Sequence, residues 1–168
     1  MMGVGKSTIG KKLAKKLKLK FTDTDQIIEK KEKMTIKEIF ENKGENYFRK
    51  IEKKISLDEM KKNNTVIALG GGAFMNKSIR KEAKNSSISF WLDVSLESLL
   101  IRLKNVKKRP LLNKNNLQES VNKIYSERKK FYNESTFRIK CNSMSIKKVI
   151  NKIKKLYESS RDKSKKFK

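Results

Sequence analysis

Met1-Met2-Gly3-Val4-Gly5-Lys6-Ser7-Thr8 opens the chain, and its reading decides the fold class. Gly3, Val4, Gly5, Lys6, Ser7 and Thr8 form the back half of the pattern G-x-x-x-x-G-K-[ST], which joins a strand to a helix. Glycines let successive backbone N–H groups curl around phosphate oxygens, and the helix N-terminus adds partial positive charge at the same point. In that reading Lys6 reaches the β- and γ-phosphates of ATP and Ser7 offers its hydroxyl to Mg2+. The blander reading is a glycine-rich helix start with no ligand. Ile9, Leu13, Ala14 and Leu17 follow on one helical face, with lysines opposite.

The pattern is short at its front. Its first glycine should stand one residue ahead of Met1, and the strand feeding the loop is also missing from the sequence. That strand lies inside the sheet in such folds, and losing its buried apolar side chains costs roughly 1.5–3 kcal/mol each. A whole domain holds only about 5–15 kcal/mol. The expectation is therefore that the natural start lies upstream and that Met1 or Met2 is internal. An in-frame stop codon just before Met1 would refute it.

Working outward, Leu19–Thr22 reads as a strand ending at Asp23-Thr24-Asp25, with a helix from Ile27. Thr35 and Glu38 form a capping box. Gly44 is a helix stop, and a longer helix runs from Glu45 to about Lys62 with Phe48, Ile51 and Ile55 on its apolar face. Val66–Leu69 is a buried strand running into Gly70-Gly71-Gly72. A helix near 77–84, a strand at Ile88–Leu92 and a helix capped by Ser95 come next. Lys104–Asn116 is polar and irregular and contains the only proline, Pro110. Leu117–Tyr132 is helical, Phe137–Lys140 a strand, and Ser145–Tyr157 the last helix. Strands alternating with helices mean an α/β fold, a parallel sheet with helices on both faces. One domain over residues 1–158 is expected, with a basic, disordered tail over 159–168.

The net charge is +26, from 44 Lys and Arg against 18 Asp and Glu, with no histidine. Such charge favours anionic partners. Most of it is lysine on the polar faces of helices, as at Lys11, Lys12, Lys15 and Lys16, which reads as a solvated basic face. The few arginines are then the informative cations. The single cysteine, Cys141, allows no intramolecular disulfide. No apolar run approaches a membrane span, and no signal peptide is evident, so a cytoplasmic enzyme is expected.

Asp23 and Asp25 sit at the carboxyl end of a strand, where ligands bind in open α/β sheets. They could orient Mg2+ waters and a substrate hydroxyl, or one could simply cap the next helix. Three glycines at 70–72 exceed what a turn needs and favour close approach by a ligand. Arg49, Arg109 and Arg128 are candidates for bidentate recognition of carboxylate or phosphate. Arg109 lies in the irregular segment, which is long enough to be a lid. Arg49 and Arg128 lie on helices, where each taken singly reads as a surface ion pair.

Taken in order, these motifs resemble the shikimate kinase family of P-loop kinases. They are Gly3-Val4-Gly5-Lys6-Ser7-Thr8, Phe21-Thr22-Asp23-Thr24-Asp25, Phe48-Arg49-Lys50-Ile51-Glu52, Gly70-Gly71-Gly72, Arg109-Pro110-Leu111-Leu112 and Glu127-Arg128 through Glu134. The resemblance covers Met1 to about Tyr157. It implies a three-layer fold with sheet order 2-3-1-4-5, from which this chain lacks the first strand. It implies that Gly3 to Thr8 hold ATP, with Ser7 and Asp23 ordering Mg2+ and its waters. Asp25 would bind shikimate hydroxyls and orient or deprotonate the accepting one. Arg49, Arg128 and the Gly70–Gly72 backbone would hold the shikimate carboxylate. Lys6 and Arg109 would stabilise the transferring phosphoryl group, and Arg102 would pack along the adenine. Ile27–Lys62 would form the substrate-binding region and Leu112–Asn116 the lid. A monomer with no specific nucleic-acid or membrane partner is implied.

Three competing readings stand beside this one. A gluconate-type P-loop kinase explains the phosphate loop but not Asp25, Arg49, the triple glycine and Arg128 together. A basic nucleic-acid-binding protein on a degenerate kinase scaffold uses the charge, but the aromatics fall on core positions rather than in an exposed ladder. A truncated, inactive paralogue is the third.

Overall fold

The computed structural model describes residues 1–103 and 116–166. The chain order is α1 (Lys6–Leu17), β1 (Lys20–Asp23), α2 (Thr24–Glu32), α3 (Ile36–Met60), β2 (Thr65–Ala68), a 3-10 turn (Ala73–Met75), α4 (Lys77–Ser86), β3 (Phe90–Asp93), α5 (Leu96–Leu103), α6 (Leu117–Tyr132), β4 (Phe137–Lys140) and α7 (Ile146–Lys166). Most of Lys104–Asn116, including Arg109 and the greater part of the expected lid, lies outside the described residues.

The four described strands form two parallel pairs, β1 with β2 and β3 with β4. This is the pairing that remains of order 2-3-1-4-5 when its first strand is left out. Register is fixed by Phe21 opposite Val66 and by Trp91 opposite Arg138. Side chains from both pairs enter one apolar cluster with α1, α5, α6 and α7, so the pairs share a core. Met1, Met2 and Val4 are buried in that cluster, which seats the phosphate loop on it. Within it Trp91 packs on Tyr132, ring centroids 5.8 Å apart, and the exposed Arg138 guanidinium lies 4.6 Å from the indole ring centroid.

A second, smaller cluster joins α2 to α3 through Ile28, Ile39, Phe48 and Ile55. The Thr35–Glu38 capping box starts α3 as expected, with both reciprocal hydrogen bonds made. Gly44 breaks the helical backbone at φ 78° and ψ 166°, but the helix resumes at once, so α3 is two pieces meeting at a kink. The break at Gly44 and the helix expected from Glu45 are both present, joined without a gap, with Phe48 and Ile55 docked in the same cluster as Ile39.

At the carboxyl end, α7 continues to Lys166, into the segment expected as a tail. Arg161 stacks over Tyr157 at 5.7 Å, one turn away, which supports the extra turns. No helix among the described residues is long and apolar enough to cross a membrane.

Candidate active site

The phosphate loop is held by its own backbone. Gly3 and Gly5 take φ of 73° and 85°, values that L side chains rarely adopt. Gly5 is the N-cap of α1, and no side chain caps that helix. Its first-turn N–H groups, with the positive end of the helix dipole, are thus left to a partner other than a capping side chain, and an anion suits them. Lys6 Nζ donates to the Met1 carbonyl at 2.8 Å, folding the lysine back over the loop. Leu103, at the end of α5, packs against Gly3. This brings the last turn of α5, with exposed Arg102, beside the loop.

Asp23 works in two directions. One carboxylate oxygen caps α2 by accepting from the Asp25 N–H at 3.0 Å, and the other accepts from Ser7 Oγ at 2.5 Å. The capping alternative open for this residue in the sequence is thus realised, and the second oxygen is engaged by Ser7. Ser7 and Asp23 together present two hard oxygen donors at the mouth of the phosphate loop. Among the described residues no cluster of three or more His, Cys, Asp or Glu side chains could hold a metal. An ion here would be held by few protein oxygens plus water and phosphate, the pattern that suits Mg2+.

Thr24, fully buried, pins the glycine turn to this corner. Its hydroxyl donates to the Ala68 carbonyl at 3.3 Å and accepts from the Gly70 N–H at 2.9 Å. Sequence reading passed over Thr24 because a threonine between two aspartates carries no distinctive pattern.

The three glycines do more than turn the chain. A Cβ on Gly70 would lie 2.6 Å from Asp25 Oδ1 and 2.5 Å from Glu52 Oε1. On Gly71 it would meet Arg128 Nη1 at 3.5 Å and the Met2 nitrogen at 3.4 Å. On Gly72 it would collide with the Arg49 guanidinium. The close approach inferred from the glycines is therefore made by the site's own side chains. Asp25, Glu52, Arg49 and Arg128 converge on one turn, immediately beside the phosphate loop.

Arg49 has the helical partners that its position suggests, and more. Arg49 donates to Glu45 through Nε and Nη2 at 3.0 and 2.9 Å, and to Glu52 through Nη1 at 2.6 Å. Its guanidinium also lies 5.1 Å from the Phe48 ring centroid. Arg128 is only 6% exposed and donates to the Gly71 carbonyl at 2.7 Å. The surface ion pair expected for Arg128 alone is replaced by a buried contact within the site. Tyr132, one turn further along α6, donates to the same carbonyl at 2.6 Å.

Glu52 is 3% exposed. Burial raises its pKa above the usual carboxyl value, and the Asp25 charge adds to the rise against the opposing pull of Arg49. Its spacing from Arg49 was visible in the sequence, but its place inside the site was not. Burial also raises the Tyr132 phenol, which keeps it a hydrogen-bond donor.

A nucleotide-type phosphate loop, a Ser–Asp pair at its mouth and a facing cluster of two carboxylates and two guanidiniums define an ATP-dependent kinase of a small molecule. A family model described as shikimate kinase matches residues 2–158, and the chain belongs to that family. The shikimate kinase of Sulfurihydrogenibium sp. is 42% identical over 158 residues, covering 92% of this chain and 94% of that protein. The shikimate kinase of Persephonella marina is 40% identical over 152 residues, covering 90% and 92%. Among solved structures, shikimate kinase from Acinetobacter baumannii in complex with shikimate superposes with a TM-score of 0.90. It is 32% identical, and the match covers 95% of this chain and 89% of that one.

Proposed function

We propose that this protein transfers the γ-phosphate of ATP to the 3-hydroxyl of shikimate, a step of chorismate and aromatic amino-acid synthesis. The observation that carries the reading is the convergence of Asp25, Arg49 and Arg128 on the Gly70–Gly72 turn, beside the phosphate loop. Two guanidiniums at one turn suit a carboxylate, and a carboxylate opposite them suits ring hydroxyls. A gluconate-type site does not account for that set.

In this reading Gly3, Val4, Gly5, Lys6, Ser7 and Thr8 hold the phosphates of ATP, and Arg102 lies along the base. Ser7 and Asp23 fit Mg2+ and would hold it together with water, and the ion would supply positive charge to offset that of the phosphates. Arg49, Arg128 and the backbone of Gly70, Gly71 and Gly72 hold the shikimate carboxylate. Asp25 orients the accepting hydroxyl and takes its proton as the oxygen–phosphorus bond forms and the bond to the ADP oxygen breaks. Lys6 moves from Met1 to the transferring group, and Arg109 joins it from the lid. The protein contributes position and charge rather than a covalent intermediate. A cytoplasmic monomer without specific nucleic-acid partners completes the reading.

The domain is further proposed to span residues 1–158, with its two parallel strand pairs sharing one core.

The test is ADP release with and without shikimate, on residues 1–168 and on the chain extended through its upstream codons. Shikimate-dependent release by the extended chain is expected. Turnover of gluconate but not shikimate would overturn the substrate, and a folded extended chain without turnover would favour an inactive paralogue.

A further inference from the structure

Among the described residues, Arg80 on α4 contacts both halves of the carboxylate pocket without entering it. Its Nη1 donates to the Phe74 carbonyl at 3.1 Å and to the Met75 carbonyl at 2.7 Å. Both belong to the 3-10 turn that continues directly from Gly70–Gly72. Its Nε donates to Glu134 at 2.9 Å, just past the end of α6, and its guanidinium lies 4.5 Å from the Phe131 ring centroid. The Arg80 side chain is 13% exposed although it makes an ion pair with an exposed glutamate.

The consequence is geometric. The 3-10 turn carries the glycine backbone, and α6 carries Arg128 and Tyr132, which meet that backbone at the Gly71 carbonyl. At the opposite end of the same contact Arg80 grips the turn with one edge of its guanidinium and the end of α6 with the other. A planar fork can satisfy two carbonyls and a carboxylate while stacking on a ring, which an ammonium cannot. We propose that Arg80 is a positioning residue for the substrate carboxylate, setting the spacing between the Gly70–Gly72 backbone and Arg128. The inference rests on the reading of that pocket as the shikimate site.

Arg80→Met keeps the apolar cover over Phe131 but removes every polar contact. It is expected to raise the KM for shikimate at least tenfold while the KM for ATP stays within twofold. Arg80→Lys, which keeps only the charge, is expected to remain at least fivefold high. Glu134→Gln, a surface change that leaves the carbonyl contacts intact, is expected to give a two- to threefold rise. Hydrogen exchange at the Ala73, Met75 and Asn76 amides, which close the 3-10 turn, should quicken at least tenfold in Arg80→Met.

A shikimate KM within twofold of wild type in Arg80→Met overturns the proposal, even if exchange quickens. So does an equal rise in both KM values, or full rescue by lysine. If the unsubstituted chain, extended through its upstream codons and folded, shows no shikimate turnover, the functional reading fails instead. The exchange result then decides the brace: unchanged protection of the turn overturns it, and faster exchange upholds it.

Discussion

The Arg49 guanidinium occupies the space into which a Cβ on Gly72 would project. Arg49 is in turn gripped by Glu45 and Glu52, so it cannot retreat without breaking an ion pair. Gly72→Ala should therefore displace Arg49 rather than the backbone. Misplacing a positioning group by about 1 Å costs up to roughly 100-fold in rate. The expected outcome is a 10- to 100-fold fall in kcat/KM for shikimate, with the KM for ATP little changed. Unaltered shikimate kinetics in a folded Gly72→Ala protein would remove Arg49 from the carboxylate site.

Asp23 joins a structural and a chemical task, and substitution can separate them. Asparagine caps a helix about as well as aspartate, so Asp23→Asn should leave the thermal midpoint almost unchanged. Its lost charge should raise the Mg2+ concentration for half-maximal activity at least tenfold. Asp23→Ala should lose about 1 kcal/mol of stability in addition. Equal Mg2+ dependence in wild type and Asp23→Asn would exclude the assigned role.

Glu52 makes stability depend on pH in a defined direction. Burial lifts its folded pKa above the ordinary carboxyl value of 4.5, so the folded state binds its proton more tightly than the unfolded state. Its contribution to stability is then full below pH 4.5 and is lost as pH rises through the folded pKa. Measured against Glu52→Gln, wild type should gain stability as pH falls from 7 toward 4.5. Urea midpoints of the two proteins over that range supply the check, and a flat or reversed difference would contradict the burial argument.

Gly44 offers a test of backbone cost without steric cost. Nothing lies within 4 Å of a Cβ placed there, yet φ is 78° and ψ 166°. Gly44→Ala should destabilise the protein by about 1–3 kcal/mol through the backbone alone. Chemical denaturation will show it, and a neutral result would mean that the kink is not fixed by residue 44.

Much of this architecture was legible locally. The Thr35–Glu38 box, the span of α6 and the span of β4 follow from capping and periodicity, which act over a few residues. The Arg49–Glu52 pair was readable for the same reason, as neighbours on one helical turn. What the sequence did not disclose are contacts between distant segments. Thr24 holding Gly70, Arg128 and Tyr132 sharing one carbonyl, and Arg80 reaching Glu134 all depend on how elements pack, and leave no periodic trace. The glycine turn shows the boundary well. The demand for close approach was visible, but not that Asp25, Glu52, Arg128 and Arg49 themselves make it. The length of α7 was hidden because its polar carboxyl end lacks a strong apolar repeat.

The chain has a single tryptophan. Trp91 sits against the Tyr132 ring, and Tyr132 holds the Gly71 carbonyl of the substrate turn. Indole emission responds to adjacent rings and charges, and here it has one source. The molecule thus carries a single intrinsic fluorophore two contacts from the glycine turn, where a shift of that turn would reach it without a label or a coupled reaction.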